Sequence, residues 1–216
     1  MARHISGIQN LQADQESRTV VDHSEWKLKP EIFQCIQRLW GPLEIDLFAS
    51  RLSYQIPRYA SWRPDPGAET VDAFTLDLAQ LTGYAFPPFA LAGRCLKQVI
   101  LQQVQKLVIV APVWETQPWY PLLLQLCVDF PRLLPQPVDL LTRQGENHPL
   151  THLQLAGWLV STVHTQRQAF LQRLEHCSWQ HGGKTLQVPM GQLGKSGLAG
   201  VITNRLIPFQ PLYQQF

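Results

Sequence analysis

The sequence predicts an α/β protein built around a mainly parallel sheet. Segments with helical periodicity alternate with short apolar segments, an order typical of parallel strands connected by helices. The segment KLVIVAP at 106–112 is apolar after its first residue, as expected of a strand that is buried on both faces. With 45% hydrophobic and 16% charged residues among 216, the chain can bury one good core. We expect the α/β domain to span residues 25–160.

The individual helices and strands follow from periodicity and from stop signals. In KPEIFQCIQRLWGP, at 29–42, the apolar residues lie on one helical face, Pro30 suits the first turn, and Gly41-Pro42 ends the helix. The segment 70–81 is either a short helix or a loop. Residues 178–216 are rich in Gly, Gln and Pro, which predicts a linker or loose tail. The remaining predictions are strands at 43–49, 84–86 and 106–112, further strands within 138–142 and 152–161, and helices at 90–105, 119–128 and 162–176.

Composition and charge exclude several classes of protein. Lys+Arg 18 against Asp+Glu 16 gives a net charge of +2, so any basic surface is local. The four cysteines lie far apart without a C-x-x-C pair, which argues against a zinc ribbon and a disulfide-dense scaffold. The start MARHISG lacks the apolar run of a signal peptide, and the longest apolar stretch, 107–114, is too short to span a bilayer. We expect a soluble intracellular protein, cytoplasmic or nuclear, with no membrane partner.

No metal site is expected. Zinc sites use tighter ligand spacing than this chain offers. The segment GQLGKSG at 191–197 departs from the phosphate-binding loop pattern, and Tyr213 lacks the Arg and His partners of a recombinase nucleophile. The loosely spaced residues of ligand type are His148, His152, His176, Cys177 and His181.

The opening stretch HISGIQNLQADQESR, at 4–18, fits the pattern H-I-x-G-x-x-N-x-x-A-D-x-x-S-R. It resembles the C-terminal motif of the RNase H domain attached to retroelement reverse transcriptases. The resemblance implies that Asp14 is one of four carboxylates that hold two magnesium ions. One carboxylate cannot hold two cations, so we expect residues 1–24 to be an RNase H remnant without activity. The alternative, a solvated helix with a stray aspartate, stays open.

The following region carries a longer resemblance. Between residues 25 and 126 the order EW, PEIF, WG, IDLFAS, RYASW, DAF, YAFPPF, LVIVAPVW, WYPLLL resembles the region that follows reverse transcriptase and RNase H in tyrosine-recombinase retrotransposons of the DIRS type. That region is similar to phage-type DNA N6-adenine methyltransferases. The resemblance implies a Rossmann-like, methyltransferase-like fold, DNA or RNA of the element as partner, and reverse transcriptase and recombinase as neighbouring polyprotein domains. We expect the chain to be an internal segment of such a polyprotein.

The same resemblance singles out one turn. Adenine methyltransferases hold the amine of a flipped base with a (D/N)-P-P-(Y/F) turn, while the amine nitrogen attacks the methyl group of S-adenosylmethionine. Here the turn is Phe86-Pro87-Pro88-Phe89. Phe89 can stack on a base and the Pro87 carbonyl can accept a proton, but Phe86 has no oxygen. Losing an acceptor at a reacting centre costs on the order of 100-fold, by analogy with lost oxyanion donors.

Two functions therefore stay open. The leading hypothesis is a noncatalytic module that binds no cofactor, and it is either a nucleic-acid or nucleoprotein contact of the element or an inert relic of a truncated copy. The rival is a working DNA adenine methyltransferase that uses S-adenosylmethionine, and it recovers if Asp65, Asp72 or Asp77 occupies the space of the missing Asn side chain. A third interpretation makes the turn nothing more than the proline-stiffened end of a core strand.

Two further sets of candidate residues precede the turn. Asp46, within the predicted strand, either contacts the ribose hydroxyls or the amino group of the cofactor at the carboxyl end of the strand, or pairs with Arg51 or Arg58. The stretch RLSYQIPRYASWR mixes cations and rings that bind phosphates and stack on bases; alternatively the rings pack into the core and the arginines cap carbonyls. Its nucleic-acid candidates are Arg51, Arg58, Tyr59, Trp62 and Arg63.

Overall fold

A computed structural model describes residues 26–135, 141–142, 153–175 and 197–212. The helices are α1 (Pro30–Trp40), α2 (Ala92–Leu101), α3 (Tyr120–Leu126) and α4 (His164–Gln172), with 3₁₀ helices at Ala73–Thr75 and Phe89–Leu91. The strands are β1 (Lys27–Leu28), β2 (Ile45–Asp46), β3 (Ala60–Ser61), β4 (Thr70–Val71), β5 (Thr82–Ala85), β6 (Lys106–Pro112), β7 (Arg132–Leu133), β8 (Leu141–Thr142), β9 (Leu155–Val160), β10 (Leu198–Ile202), β11 (Arg205–Pro208) and β12 (Gln210–Pro211).

Six strands form the central sheet, in the order β12-β7-β9-β6-β5-β2. Strands β2, β5 and β6 are parallel, and β9 is antiparallel to both β6 and β7. Strand β12 is parallel to β7, so five of the six strands share one direction. The fold is thus mixed α/β with a mostly parallel sheet, which confirms the predicted class. Among the described residues, no helix combines the length and hydropathy needed to cross a bilayer.

The chain that leads into β3 extends the parallel arrangement beyond β2. The Asp46 amide donates to the Arg58 carbonyl at 2.9 Å, and the Ala49 amide donates to the Ala60 carbonyl at 3.1 Å. Asp46 and Tyr59 form a parallel bridge, and β4 then pairs with β3 in parallel. The strands β6, β5, β2, β3 and β4 therefore run side by side in the same direction.

Helix α1 covers one face of the sheet. Its first turn contains Pro30 and Glu31 and its last turn contains Arg38, which suits both the unpaired amides and the helix dipole. Its apolar stripe packs on Tyr84, Val108 and Val110 of the sheet. The buried residues of the stripe are Ile32, Phe33, Ile36 and Trp40.

Helices α2, α3 and α4 contribute to the core on the opposite face. Leu96 and Val99 of α2 and Leu123 of α3 are fully buried there. Phe170 of α4 is also buried and packs edge to face on Phe130, with ring centroids 5.5 Å apart. Because α4 lies beyond residue 160, the core includes a segment that was predicted to follow the domain.

The prediction of a loose tail is wrong for residues 197–212. Strands β10 and β11 form an antiparallel hairpin, and β12 joins the edge of the central sheet. Ile207 and Phe209 are buried, and the Tyr120 hydroxyl donates to the Ala199 carbonyl at 3.0 Å. Burial of these apolar side chains offsets the cost of ordering a Gly-rich and Pro-rich segment.

Several predicted boundaries also shift. The predicted strand 43–49 is regular only over β2, and the predicted strand 84–86 lies at 82–85. The helix predicted at 90–105 ends at Leu101, because Gln103 has a positive φ of 54°. The segment 70–81 forms β4 and a 3₁₀ turn.

The packing of segment 197–212 is tested by Phe209→Ala, at the residue between β11 and β12. Phe209 is 6% exposed and packs edge to face on Trp158, with centroids 5.7 Å apart. The substitution should lower the free energy of unfolding by about 3 to 4 kcal/mol, measured by urea denaturation. The control Val201→Ala, at a position that is 50% exposed, should change it by less than about 0.5 kcal/mol. Equal, small effects would mean that the segment is a loose tail after all.

Candidate functional site

The candidate site lies where the parallel strands end. Parallel strands that share a direction bring their carboxyl ends to one edge, where α/β proteins commonly bind ligands. We call this the carboxyl edge. In this chain β2 is followed by Phe48, β5 by Phe86 and Phe89, and β6 by Trp114. The residues that meet at this edge are therefore largely aromatic.

The predicted turn has its rings packed on each other. Phe86 is half-buried, and its ring centroid lies 6.4 Å from that of Phe89. Phe89 contacts Trp114 edge to face at 5.2 Å. Pro87 is buried, and the exposed Pro88 accepts a hydrogen bond from the Leu91 amide at 2.7 Å. The turn thus offers aromatic faces and backbone carbonyls, but no side-chain acceptor.

Asp65, Asp72 and Asp77, the carboxylates considered as replacements for the missing acceptor, accept from backbone amides. Asp65 accepts from backbone amides at 2.8 and 3.1 Å. Asp72 and Asp77 each accept from the amide two residues ahead at 3.0 Å. All three carboxylates are thus bonded to backbone amides.

Asp46 is a buried carboxylate at the end of β2. It is 2% exposed and accepts from the Gln55 amide at 3.0 Å and from the Phe48 amide at 3.4 Å. Burial raises its pKa from 3.8 to about 7, although the two amide bonds oppose the shift. Its register partner on the neighbouring strand β5 is Tyr84. The two oxygens are directed to the protein's own backbone, which holds the loop after β2 in place.

Tyr84 has an unusual hydroxyl. The residue is 1% exposed, and within the described ranges its oxygen has no hydrogen-bond partner. Burial, and then the charge of Asp46, raise its pKa well above 10. An unpaired buried hydroxyl costs on the order of 1 to 3 kcal/mol. Asp46 and Tyr84 are therefore two polar side chains that are buried on neighbouring strands.

The predicted pairing of Asp46 with Arg51 or Arg58 is wrong for both arginines. Arg58 forms a two-pronged ion pair with Glu69, at 2.8 and 3.0 Å. The hydrogen bond with Glu69 raises the pKa of Arg58 further and lowers that of Glu69. Arg51 contributes its backbone amide to Asp65. Asp46 forms no ion pair with either arginine in the described structure, because its side chain faces the interior.

The Arg-rich and Tyr-rich stretch divides into an inner and an outer part. Tyr59 is 3% exposed, while Tyr54 stacks on it at 5.2 Å with ring planes 5° apart and is 44% exposed. Burial and a hydrogen bond to Asp65 raise the pKa of Tyr59. Trp62 is 54% exposed, and the Arg63 guanidinium lies 3.8 Å from its ring centroid. Tyr59 therefore packs into the core, as one of the two interpretations of this stretch predicted, whereas Trp62 lies at the surface.

Sequence reasoning missed a second aromatic and cationic cluster. Phe48 packs edge to face on Phe74 at 5.7 Å, and the Arg94 guanidinium lies 3.8 Å from the Phe74 ring centroid. Arg94 is also 4.0 Å from the Asp72 carboxylate. Phe48 lies within the strand that was predicted at 43–49, so its place along the chain was known from the sequence. Phe74 and Arg94 required the strand order, which the sequence alone does not supply.

Some predicted residues lie outside the described residues. Asp14 and the whole RNase H-like segment 1–24 belong to this group, as do the loosely spaced histidines and Cys177. Over the ranges that are described, no group of three or more His, Cys, Asp or Glu is placed to hold a metal ion. Comparison of the chain with models of protein families finds no match, and a search of curated proteins finds none.

The buried carboxyl predicts a pH-dependent stability. Because folding raises the pKa of Asp46 to about 7, the folded state keeps a proton that the unfolded state loses above about pH 4. Stability from this group is complete below pH 4 and falls until about pH 7, by up to about 4 kcal/mol. Asp46→Asn removes the titration, so the variant should gain stability relative to the parent between pH 5 and pH 8.

The measurement is urea denaturation of both proteins at several pH values between about 4 and 8. Asp77→Asn is the matched control, because Asp77 is exposed and bonded only within its loop. It should leave the pH dependence as it is in the parent. A parent and an Asp46→Asn variant with parallel pH profiles would show that Asp46 is ionised in the folded state at neutral pH.

Proposed function

We propose that this chain is a noncatalytic segment of a retrotransposon polyprotein of the DIRS type, and that its domain contacts nucleic acid. The proposal rests on the ordered resemblance between residues 25 and 126 and on the mostly parallel sheet. The domain is Rossmann-like and methyltransferase-like in this proposal, with the carboxyl edge as its working surface. Reverse transcriptase and recombinase domains of the element are the expected neighbours.

The single observation that carries the noncatalytic assignment is the side chain at Phe86. Methyl transfer to an exocyclic amine requires acceptors that orient the amine and take its proton. A phenyl ring offers neither, and it packs against Phe89. The carboxylates Asp65, Asp72 and Asp77 accept hydrogen bonds from backbone amides. Base stacking and the Pro87 carbonyl remain chemically available at this turn, whereas the side-chain acceptor that would orient the amine is missing.

Contact with nucleic acid is supported by what the carboxyl edge exposes. Trp62 and Trp114 are 54% and 37% exposed, and large exposed rings on a folded domain commonly mark contact surfaces. Arg63 and Arg94 place positive charge directly over rings. Stacking surfaces beside guanidinium groups suit bases and phosphates together.

The alternative is a DNA adenine-N6 methyltransferase that uses S-adenosylmethionine. One observation favours it. Asp46 and Tyr84 form a buried polar pair at the end of β2, and the Tyr84 hydroxyl has no partner in the described structure. In that alternative, Asp46 contacts the ribose or the amino group of the cofactor. The burial of both side chains, and the amides already bonded to Asp46, support the noncatalytic proposal instead.

The test is the thermal midpoint of the purified chain with S-adenosylmethionine, with its demethylated product, and with a mixed pool of oligonucleotides. A ligand at 100 times its Kd stabilises a protein by about 2.7 kcal/mol, which corresponds to roughly 5 to 11 °C here. We expect no shift with either cofactor form at millimolar concentration and a shift with the oligonucleotides.

Methyl-group incorporation into DNA is the second readout of the same proposal. We expect none from the parent chain with radiolabelled S-adenosylmethionine. A cofactor-dependent shift together with incorporation would establish the alternative function. A folded chain that responds to neither cofactor nor oligonucleotide would reject the nucleic-acid contact. Only the resemblance in sequence between residues 25 and 126 would then remain.

A further inference from the structure

The aromatic residues of the carboxyl edge follow the order of the strands. The strands β6, β5, β2, β3 and β4 lie side by side in parallel, so the residues that follow them come to the same edge of the sheet. Each of the five strands is followed, within four residues, by a ring. These rings are Trp114 after β6, Phe86 and Phe89 after β5, Phe48 after β2, Trp62 after β3 and Phe74 after β4.

We propose, as a step that rests on the proposed function, that this row of rings binds single-stranded nucleic acid, with unpaired bases stacked on the rings and phosphates held by Arg63 and Arg94. We call the six rings and two arginines the ring row. The bases would contact the rings in strand order across the edge. No base would need to enter a reaction pocket.

Three contact clusters within the ring row are defined by measured geometry. Phe86, Phe89 and Trp114 form the first, with centroids 6.4 and 5.2 Å apart. The second contains Phe48 and Phe74 at 5.7 Å, with the Arg94 guanidinium 3.8 Å from the Phe74 centroid. Trp62 and Arg63, at 3.8 Å, form the third. Two of the three clusters therefore place a cation within reach of a phosphate whose base lies on the neighbouring ring.

Two rings and one arginine of the ring row are exposed, whereas Phe48, Phe74, Phe86 and Phe89 are half-buried and pack partly on the core. Trp62 remains 54% exposed although Arg63 covers part of its ring, and Trp114 is 37% exposed. The Arg94 side chain is 60% exposed, and its Asp72 partner is 4.0 Å away. A surface ion pair of that length contributes little, so Arg94 can turn toward a phosphate at little cost.

Charge argues against a duplex as the preferred ligand. The net charge of the chain is +2, and Asp65 and Asp72 lie close to the same loops. Duplex binding without base readout depends on many phosphate contacts from Lys and Arg. Stacking on aromatic rings requires bases that are free of the double helix, and it contributes about 1 to 3 kcal/mol per base in single-strand binding proteins. The surface supplies the second kind of interaction and little of the first.

The salt dependence gives a quantitative expectation. Two phosphate contacts, from Arg63 and Arg94, predict a slope of about −1.4 for log K against log salt with a single strand, from about −0.7 per contact. A surface that binds mainly through phosphates would have a much steeper slope. The shallow slope is therefore a signature of stacking on the ring row.

The experiment is fluorescence anisotropy of the full chain with a labelled oligothymidylate of about 12 nucleotides and with a duplex of the same length. We expect the single strand to bind at least tenfold more tightly than the duplex. Trp62→Ala should weaken single-strand binding by about tenfold, and Trp62→Phe should keep most of it because it keeps a ring. Arg94→Gln should weaken binding and flatten the salt slope by about half.

Matched controls come from the opposite edge of the sheet. Leu101, at the end of α2, is 76% exposed, and Arg38 is exposed in the last turn of α1. Both helices end where the chain turns back toward the start of a parallel strand. Leu101→Ala and Arg38→Gln should leave the Kd for the single strand within twofold of the parent value.

The possible outcomes separate this inference from the proposed function. Binding of neither nucleic acid would reject both. Equal or tighter binding of the duplex, or a Trp62→Ala variant that is folded and binds the single strand like the parent, would keep the nucleic-acid function and reject the ring row. Loss of binding in the ring-row variants, with the two controls unchanged, is the result that this inference requires.

Discussion

The burial of β6 is the constraint on which the rest of the structure depends. Residues Leu107 to Ala111 are at most 1% exposed, so this strand is covered on both faces by helices and side chains. It pairs in parallel with β5 on one side and antiparallel with β9 on the other. The parallel half of the sheet and the C-terminal half are joined through this strand. Removal of apolar side chains from water is the dominant favourable contribution to folding, and residues 107–111 are almost completely removed from water.

The parallel half then determines where chemistry can occur. Because β2, β5 and β6 end at the same edge, the residue types that follow them decide what the edge can bind. In this chain those residues are rings and prolines, and the polar pair Asp46 and Tyr84 is turned inward. The mostly parallel sheet thus presents aromatic rings at its carboxyl edge. The proposed nucleic-acid function follows from the chemistry of these rings.

The sequence predicted the parts of the fold that depend on local patterns. The strand 106–112 and the helices that became α1 and α2 were recognisable, because a continuous apolar run marks the strand and an apolar stripe marks each helix. The strand β12 was not, because it has two residues, one of them Pro211, and is held only by its neighbour β7. Short edge strands carry little sequence signal of their own.

The candidate site was predicted only where it depends on the order of residues along the chain. The turn Phe86-Pro87-Pro88-Phe89 and the exposed Trp62 with Arg63 could be located from their order along the chain. The contacts of Phe74 with Phe48 and of Phe89 with Trp114 join segments whose meeting depends on strand neighbours. The inward direction of Asp46 likewise depends on which face of β2 packs under α1, and a two-residue strand does not reveal its face.

Binding of nucleic acid at the carboxyl edge is tested most directly by photocrosslinking. The chain is crosslinked to a single-stranded oligonucleotide that carries bromouracil, and the crosslinked peptides are identified by mass spectrometry. Aromatic rings in stacking contact with a base crosslink efficiently, so base stacking on the ring row predicts adducts in peptides that contain Trp62, Phe89 or Trp114. It also predicts few adducts in peptides from the ends of α1 and α2 at the other edge. Adducts spread over both edges, or confined to the edge that carries Arg38 and Leu101, would contradict the assignment of the carboxyl edge as the nucleic-acid surface.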